Sequence, residues 1–133
     1  MRNGYKVALL KPATEADRRS AEELPRDTIS LEGWNIGREA SVEWQPWGGD
    51  GFARAKVLAV ADGFHIILVE AAAGYRGGPH EHVYPEFLYV IAGTLRTQGQ
   101  ELIAGDAYAA ASGSVHQDFV TDAGATYLTI FKV

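Results

Sequence analysis

The sequence predicts an all-β domain, and three observations carry that prediction. The chain has 133 residues, which suits one domain that buries roughly two-thirds of its unfolded surface. Fifteen glycines accompany 47% hydrophobic residues, a composition typical of short apolar strands joined by tight turns. Beyond Pro25, apolar runs recur at short spacing between glycine-containing turns. This spacing favours a sandwich or a barrel.

An N-terminal arm with one short helix is predicted for residues 1–27, and the β domain for residues 28–133. Thr14 can cap the helix, Asp17 occupies the capping-box position, and no helix breaker follows before Pro25. The charges of this helix are interpreted as a solvated face. The arm is therefore expected to be an addition to the barrel.

Ten strands are predicted after the arm. Asp62-Gly63, between two apolar runs, predicts a two-residue hairpin. Single glycines, including Gly93, are interpreted as turns. The predicted strands are DTISLE, ASVEW, ARAKVLAV, FHIILVEA, PHEHV, EFLYVIA, TLRTQ, DAYAAA, VHQDFV and ATYLTIFKV.

A homodimer is predicted from the apolar outer face of one strand. HIILV and FLYVI are apolar on both faces, unlike strands of a half-exposed sheet. Phe87, Tyr89 and Ile91 alternate with the inward positions, so they point away from the barrel interior. A second subunit or the N-terminal arm must cover such a patch.

Composition excludes several classes of function. The formal net charge is −5 and the lysines and arginines are scattered, so nucleic acid is not expected as a partner. No apolar run is long enough to span a bilayer, and residues 1–20 lack the layout of a signal peptide. Without cysteine, the chain has no thiolate site or cysteine nucleophile. We expect a cytoplasmic protein with a small-molecule substrate and no membrane partner.

The segment GGPHEHVYPE, residues 77–86, points to a metal site. On a helix, residues i and i+2 point about 200° apart, and the two prolines also disfavour a helix. On a strand, His80 and His82 share a face with their bases about 6.6 Å apart, so both can lean onto one ion. Glu86 would lie about 20 Å from His80 on a straight strand. The chain is therefore expected to bend at Val83-Tyr84-Pro85.

A third histidine, His116, begins another strand after the turn-rich segment ASGSV. With His80, His82 and Glu86 it gives three imidazoles and one carboxylate. This N/O set suits one divalent transition metal per chain, whether Fe, Mn, Ni, Cu or Zn, and leaves one or two positions open. His65 lies alone in FHIILVE and is predicted to be a strand histidine rather than a ligand.

These spacings resemble the two motifs of the cupin superfamily. The first motif is matched at every position, by Gly74, His80, His82, Glu86 and Gly93. The second is matched by Gly105, Gly113 and His116, whereas Ala111 and Val120 replace its usual proline and asparagine. The resemblance implies a small single-domain cupin, a β-barrel or jelly roll with the metal inside one mouth. The stretch from Trp44 is loosely similar to acetylacetone dioxygenase-like cupins and to the cupin domains of anti-sigma factors.

The resemblance leaves three functions open. The favoured one is an Fe(II)-dependent dioxygenase that cleaves a small dicarbonyl or phenolic ketone chelated to the ion, with Tyr84 as a candidate substrate contact. A lyase or isomerase would use the ion as a Lewis acid and need a base, for which Tyr84 and Asp118 are the candidates. A metal- or ligand-binding sensor module would have no catalytic role. Trp44 and Trp47 are expected either to line a pocket or to pack in the core, and Arg76 and Gln117 have no assigned role.

Overall fold

The computed structural model describes residues 31–78 and 80–133, and this part of the chain is mostly β. The predicted arm and its helix lie outside the described residues, as does most of DTISLE, whose last two residues form no strand. A short 3₁₀ helix, Glu39–Ser41, precedes the strands. The strands are β1 (Gln45–Trp47), β2 (Ala53–Ala61), β3 (Phe64–Ala71), β4 (Tyr75–Gly77), β5 (His80–Glu81), β6 (Glu86–Thr97), β7 (Gln100–Ile103), β8 (Ala107–Ala110), β9 (Val115–His116), β10 (Phe119–Thr121) and β11 (Ala125–Lys132).

The strand pairs are antiparallel, and nine of the described strands form one curled sheet with the order β1-β2-β3-β11-β6-β10-β4. The long β6 also pairs with β8 through residues 86–89 and with β7 through residues 94–97. The short strands β5 and β9 pair with each other. This curled half-barrel confirms the predicted jelly-roll class.

The core lies on the inner face of this sheet. Along β11, Ala125, Tyr127 and Thr129 are buried, and the residues between them are half-buried. Val69 on β3 and Val90 on β6 are fully buried. Such alternation is what a strand with one face toward a core shows, and each buried valine contributes roughly 1.5–3 kcal/mol relative to an exposed one.

The hairpin between β2 and β3 forms where it was predicted. Asp62 has a φ of 52° and Gly63 a φ of 81°, so both turn residues are left-handed, as a type I′ turn requires. Ala61 pairs with Phe64 across it.

The predicted strand at residues 40–44 is wrong. Its first residues belong to the 3₁₀ helix, in which Val42 N donates to Glu39 O. The buried Lys56 ammonium donates to Glu39 O at 2.8 Å and to its carboxylate at 3.2 Å. Because Lys56 lies 17 residues along the chain, the alternation within residues 40–44 carries no sign of this contact.

Gly93 does not end a strand. It lies inside β6 with a φ of 77°, and any Cβ there would collide with the Gly124 backbone. EFLYVIA and TLRTQ are therefore one strand because only glycine permits this close approach. Conversely, VHQDFV is two strands, β9 and β10, and the short strands β1, β4 and β7 were not predicted.

The outer face of β6 is apolar. Phe87, Tyr89 and Ile91 are 44%, 49% and 43% exposed, and they alternate with the buried Leu88 and Val90. These side chains point away from the core, as the alternation predicted.

No helix among the described residues is long and apolar enough to cross a membrane.

Candidate metal centre

The pairing of two short strands brings three histidines together. His80 on β5 is the cross-strand partner of His116 on β9, and His82 follows directly after β5. One nitrogen from each imidazole lies within 4.8 Å of the others. His82 and His116 are buried, whereas His80 is exposed. This cluster has the dimensions to hold a single metal ion.

Glu86 enters the same site because the chain bends before β6. Val83 and Tyr84 form the bend, and Glu86 is the first residue of β6. Its Oε2 lies 3.4 Å from His82 Nε2 and 3.8 Å from His116 Nδ1. Two ligands of one ion stand about 3 to 3.5 Å apart when each bond is about 2 Å. The carboxylate is therefore placed close to where a fourth ligand would stand.

The hydrogen bonds of His116 determine its tautomer. Thr97 Oγ1 donates its only proton to Asp118 O at 2.7 Å. The same oxygen lies 2.7 Å from His116 Nε2, so it must accept a proton from that nitrogen. His116 Nδ1 is therefore the unprotonated nitrogen, and it is the one that faces Glu86.

The imidazoles of His80 and His82 also have oxygen partners, but on Nδ1 rather than Nε2. His80 Nδ1 donates to Gly78 O at 3.0 Å, and because a carbonyl only accepts, Nε2 carries the lone pair. His82 Nδ1 lies 3.0 Å from Ser114 Oγ, which leaves Nε2 facing Glu86. Oxygen partners of this kind on the second ring nitrogen are typical of metal-binding histidines.

Two ring nitrogens support the fit to a metal. Within the described part of the chain, His82 Nε2 and His116 Nδ1 are buried and have no hydrogen-bond partner. A buried polar atom without a partner costs roughly 1–3 kcal/mol. Both atoms face the Glu86 carboxylate, and an ion between them would satisfy all three groups.

Tyr108, on β8, completes the surroundings of Glu86. Its hydroxyl donates to Glu86 Oε2 at 2.6 Å. Burial raises the pKa of the Tyr108 phenol well above its ordinary value of 10.0, and the Glu86 carboxylate raises it further. The phenol therefore remains protonated and remains a hydrogen-bond donor.

Burial lowers the pKa of His116 below its ordinary value of 6.5. The Glu86 carboxylate opposes this shift, and the neighbouring His80 and His82 add to it. His116 therefore favours the neutral imidazole, which is the form that binds a metal.

A cavity of about 360 Å³ opens beside the cluster and has a largely aromatic wall. Trp47 and Phe131 pack together here with ring centroids 6.2 Å apart. The ammonium of Lys132 lies 4.7 Å from the centroid of the Tyr84 ring. A second cavity of about 540 Å³ lies toward β7 and β8. The two share only His82, Tyr108 and His116 among the residues that line them.

Four other residues were candidates for the site from the sequence, and two of them line the aromatic cavity. Tyr84 and Trp47 line the aromatic cavity. Trp44 does not line this cavity. The Arg54 guanidinium lies over the Trp44 ring, with its Cζ 4.3 Å from the ring centroid. Asp118, the other candidate base, does not line that cavity, and its carboxylate accepts from Gln98 N at 2.6 Å.

His65 hydrogen-bonds through Nδ1 to Gly63 O at 2.9 Å, apart from the histidine cluster. Of the residues without an assigned role, Gln117 donates its backbone N–H to Gln98 Oε1 at 2.7 Å, and Arg76 pairs with Val120 across β4 and β10.

The site contains three residues that the sequence did not single out for it: Thr97, Tyr108 and Ser114. Ser114 was interpreted only as a turn residue. Thr97 and Tyr108 carry no local signal, because each reaches the site only after its strand has paired with its neighbours.

Comparison with known proteins supports the fold. The model of the ChrR cupin-like domain family matches residues 35–132. A search of curated proteins found no significant match. The anti-sigma factor ChrR in complex with SigE from Rhodobacter sphaeroides is 20% identical, with a TM-score of 0.61 over 94% of this chain and 73% of that chain.

Two enzymes have the same fold. An acetylacetone dioxygenase from Acinetobacter johnsonii is 15% identical, with a TM-score of 0.59 over 99% of this chain and 80% of that chain. The polyketide cyclase RemF from Streptomyces resistomycificus is 22% identical, with a TM-score of 0.62 over 71% of this chain and 76% of that chain. At these identities the likeness shows the fold alone. The family match covers most of the sequence, and the chain belongs to the ChrR cupin-like domain family within the cupin superfamily.

Proposed function

We propose that this chain is a metal-dependent dioxygenase that cleaves a small dicarbonyl or phenolic ketone. The observation that carries the proposal is the pair of buried, unpartnered nitrogens, His82 Nε2 and His116 Nδ1, which face Glu86 beside an aromatic cavity. Ligands of this type suit Fe(II), and the cavity suits a small organic molecule.

The proposed ligands are His80, His82, Glu86 and His116. Bound Fe(II) would supply the redox chemistry with O₂ that no side chain of the site offers. Thr97 holds His116 in the tautomer that presents Nδ1, and Tyr108 holds Glu86. These partners keep the donor atoms in place before an ion arrives.

The cavity wall gives the substrate its environment. Phe119, Tyr127 and Phe131 line it, and an aromatic wall of this kind favours a planar or apolar molecule. Tyr84 lines the cavity and is 45% exposed, which makes it a candidate substrate contact. With Asp118 outside the cavity, a lyase or isomerase keeps only Tyr84 of its two candidate bases.

Oxygen uptake under two metals tests the reaction class. We expect protein loaded with Fe(II) to consume O₂ in the presence of acetylacetone or benzoylacetone, and protein loaded with Zn(II) to be inactive because zinc has no redox chemistry. The His80→Ala variant, treated in the same way, is the control for free iron. Full turnover with zinc under strict anaerobiosis would overturn the proposal in favour of a lyase or isomerase.

A sensor module that recognises a metal or a small ligand is the second candidate. The family match and the likeness to ChrR in its complex with SigE support it. Such a module would bind a metal, gain thermal stability from it, and convert none of the compounds tested. Turnover that depends on both Fe(II) and O₂ would exclude it.

We also propose that the chain forms a homodimer through the outer face of β6. Phe87, Tyr89 and Ile91 are the residues that support this assembly, because each is more than two-fifths exposed and together they form an apolar patch typical of interfaces.

A further inference from the structure

The turn between β6 and β7 has an uncommon residue at its first position. Gln98 and Gly99 form this two-residue turn, with φ values of 52° and 71°, and Thr97 pairs with Gln100 across it. A type I′ turn needs a positive φ at both positions, so asparagine followed by glycine is the preferred pair. Glutamine rarely adopts this conformation. Backbone strain of this kind persists where the surrounding contacts require it.

The Gln98 amide bonds to the backbone on both sides of His116. Gln117 N donates to Gln98 Oε1 at 2.7 Å, and Gln98 Nε2 donates to Val115 O at 3.3 Å. Because a backbone N–H only donates and a carbonyl only accepts, these partners also determine which end of the amide carries the oxygen. One side chain therefore holds the two peptide groups that flank a proposed metal ligand.

This contact takes the place of a strand pairing. Across β5 and β9, His82 N donates to Ser114 O, and the backbone polar groups of successive strand residues point to opposite edges. Those of the two residues beside His116 therefore face away from β5. On that side, the pairing of β10 with β6 ends at Thr97, because the chain turns at the next residue. The Gln98 side chain supplies the acceptor and the donor that the backbone of β6 no longer provides.

Three further hydrogen bonds hold the same turn beside His116. Gln98 N donates to Asp118 Oδ1 at 2.6 Å. Thr97 Oγ1 accepts from His116 Nε2 and donates to Asp118 O, each at 2.7 Å. Thr97 thus orients the imidazole, and Gln98 holds the backbone that carries it. A ligand atom stays in one place only when both its ring and its backbone are held.

We propose that Gln98 is a positioning residue for the metal centre, which holds β9 so that His116 Nδ1 faces the other proposed ligands. The inference rests on the ligand assignment in the proposed function, and it does not depend on the reaction. Asparagine would suit the turn better, but its amide lies one methylene nearer the backbone and does not reach both peptide groups. The contacts with β9 therefore account for the strained glutamine.

Metal binding by two variants separates this role from a role in the turn alone. Gln98→Asn shortens the side chain and creates the preferred Asn-Gly turn, whereas Gln98→Met keeps the length and the strain but removes the amide. Because the Gln98 amide is exposed, we expect both variants to bind Zn(II) about 10-fold more weakly, the lower end of the range for groups that orient a ligand. Metal-free Gln98→Asn should nevertheless melt at a higher temperature than Gln98→Met. Calorimetric titration and thermal melting with a chelator measure these two effects.

Co(II) reports the geometry of the site without any reaction. Its visible absorption depends on coordination geometry, so the spectra of wild type and Gln98→Asn, each saturated with Co(II), should differ. Gln100→Asn is the matched control, because it shortens an exposed glutamine just after the same turn. This control should keep the wild-type Co(II) spectrum and the wild-type Zn(II) affinity.

An unchanged Zn(II) affinity or an identical Co(II) spectrum in Gln98→Asn would overturn the positioning role. So would a Zn(II) affinity that follows the melting temperature across the variants, since that is the result of a role in the turn alone. If wild type binds no Zn(II), the ligand assignment fails and the Gln98 proposal fails with it. These measurements involve no O₂, so failure of the dioxygenase proposal is distinguished from failure of this one.

Discussion

The Tyr108 hydroxyl donates to Glu86 Oε2 at 2.6 Å, and that same oxygen lies 3.4 Å from His82 Nε2 and 3.8 Å from His116 Nδ1. One hydrogen bond therefore fixes the carboxylate oxygen that faces both imidazoles. Outer partners of this kind typically change metal affinity 10- to 100-fold when they are removed.

Removal of the Tyr108 hydroxyl should weaken metal binding. We expect Tyr108→Phe to bind metal about 10- to 100-fold more weakly, because Glu86 loses the donor that orients it. The same substitution should have much less effect in a Glu86→Gln background, which distinguishes positioning of Glu86 from a general loss of packing. Calorimetric titration with Zn(II) measures all four proteins. An equal loss in both backgrounds would contradict the positioning role.

The ligand assignment predicts a sharp difference between two histidines. His116→Ala should reduce metal affinity by more than about 100-fold, beyond the effect of an outer partner. His65→Ala should retain one ion per chain, because its imidazole is bonded to Gly63 O apart from the cluster. Metal analysis after gel filtration measures both variants. Equal metal content in the two would rule out His116 as a ligand.

The lowered pKa of His116 predicts a pH dependence for the metal-free protein. The unfolded chain retains the ordinary value of 6.5. Between 6.5 and the lower folded pKa, the unfolded state binds more protons. The free energy of unfolding should therefore be highest above this window and fall as the pH is lowered through it.

Thermal melting in the presence of a chelator, at a pH near 7.5 and at one near 5, measures this effect. The drop in melting temperature should be smaller in His116→Gln, which does not titrate there. An identical drop in that variant would show that other groups cause the loss.

The outer face of β6 predicts the assembly. Phe87→Glu should convert a dimer into a 14.4 kDa monomer, because it places a charge within an apolar interface. Its effect on monomer stability should be small, since Phe87 is 44% exposed. Glu101→Gln, on an exposed position of β7, is the control. Sedimentation equilibrium that shows a wild-type monomer at micromolar concentration would contradict the dimer.

The sequence predicted the parts of the site that depend on local geometry. His80 and His82 share a strand face by simple alternation, and Glu86 needs only the bend before Pro85. His116 follows from the second motif. Alternation and the bend account for His80, His82 and Glu86, the resemblance accounts for His116, and the structure brings all four together.

The remaining features depend on contacts between distant strands. Tyr108 reaches Glu86 across the β6–β8 pairing, 22 residues along the chain. The mistaken strand at residues 40–44 and the mistaken turn at Gly93 also depend on remote partners, Lys56 and Gly124. Periodicity within a segment contains no information about these partners, so sequence alone does not predict them.

The fate of labelled oxygen tests the central claim most directly. Iron-loaded protein is supplied with isotopically labelled O₂ and a cleavable aromatic diketone, and the products are examined by mass spectrometry. Our account predicts that both atoms of one O₂ molecule appear in the two cleavage products, one atom in each. Cleavage products that carry no label, formed at the same rate without O₂, would contradict it.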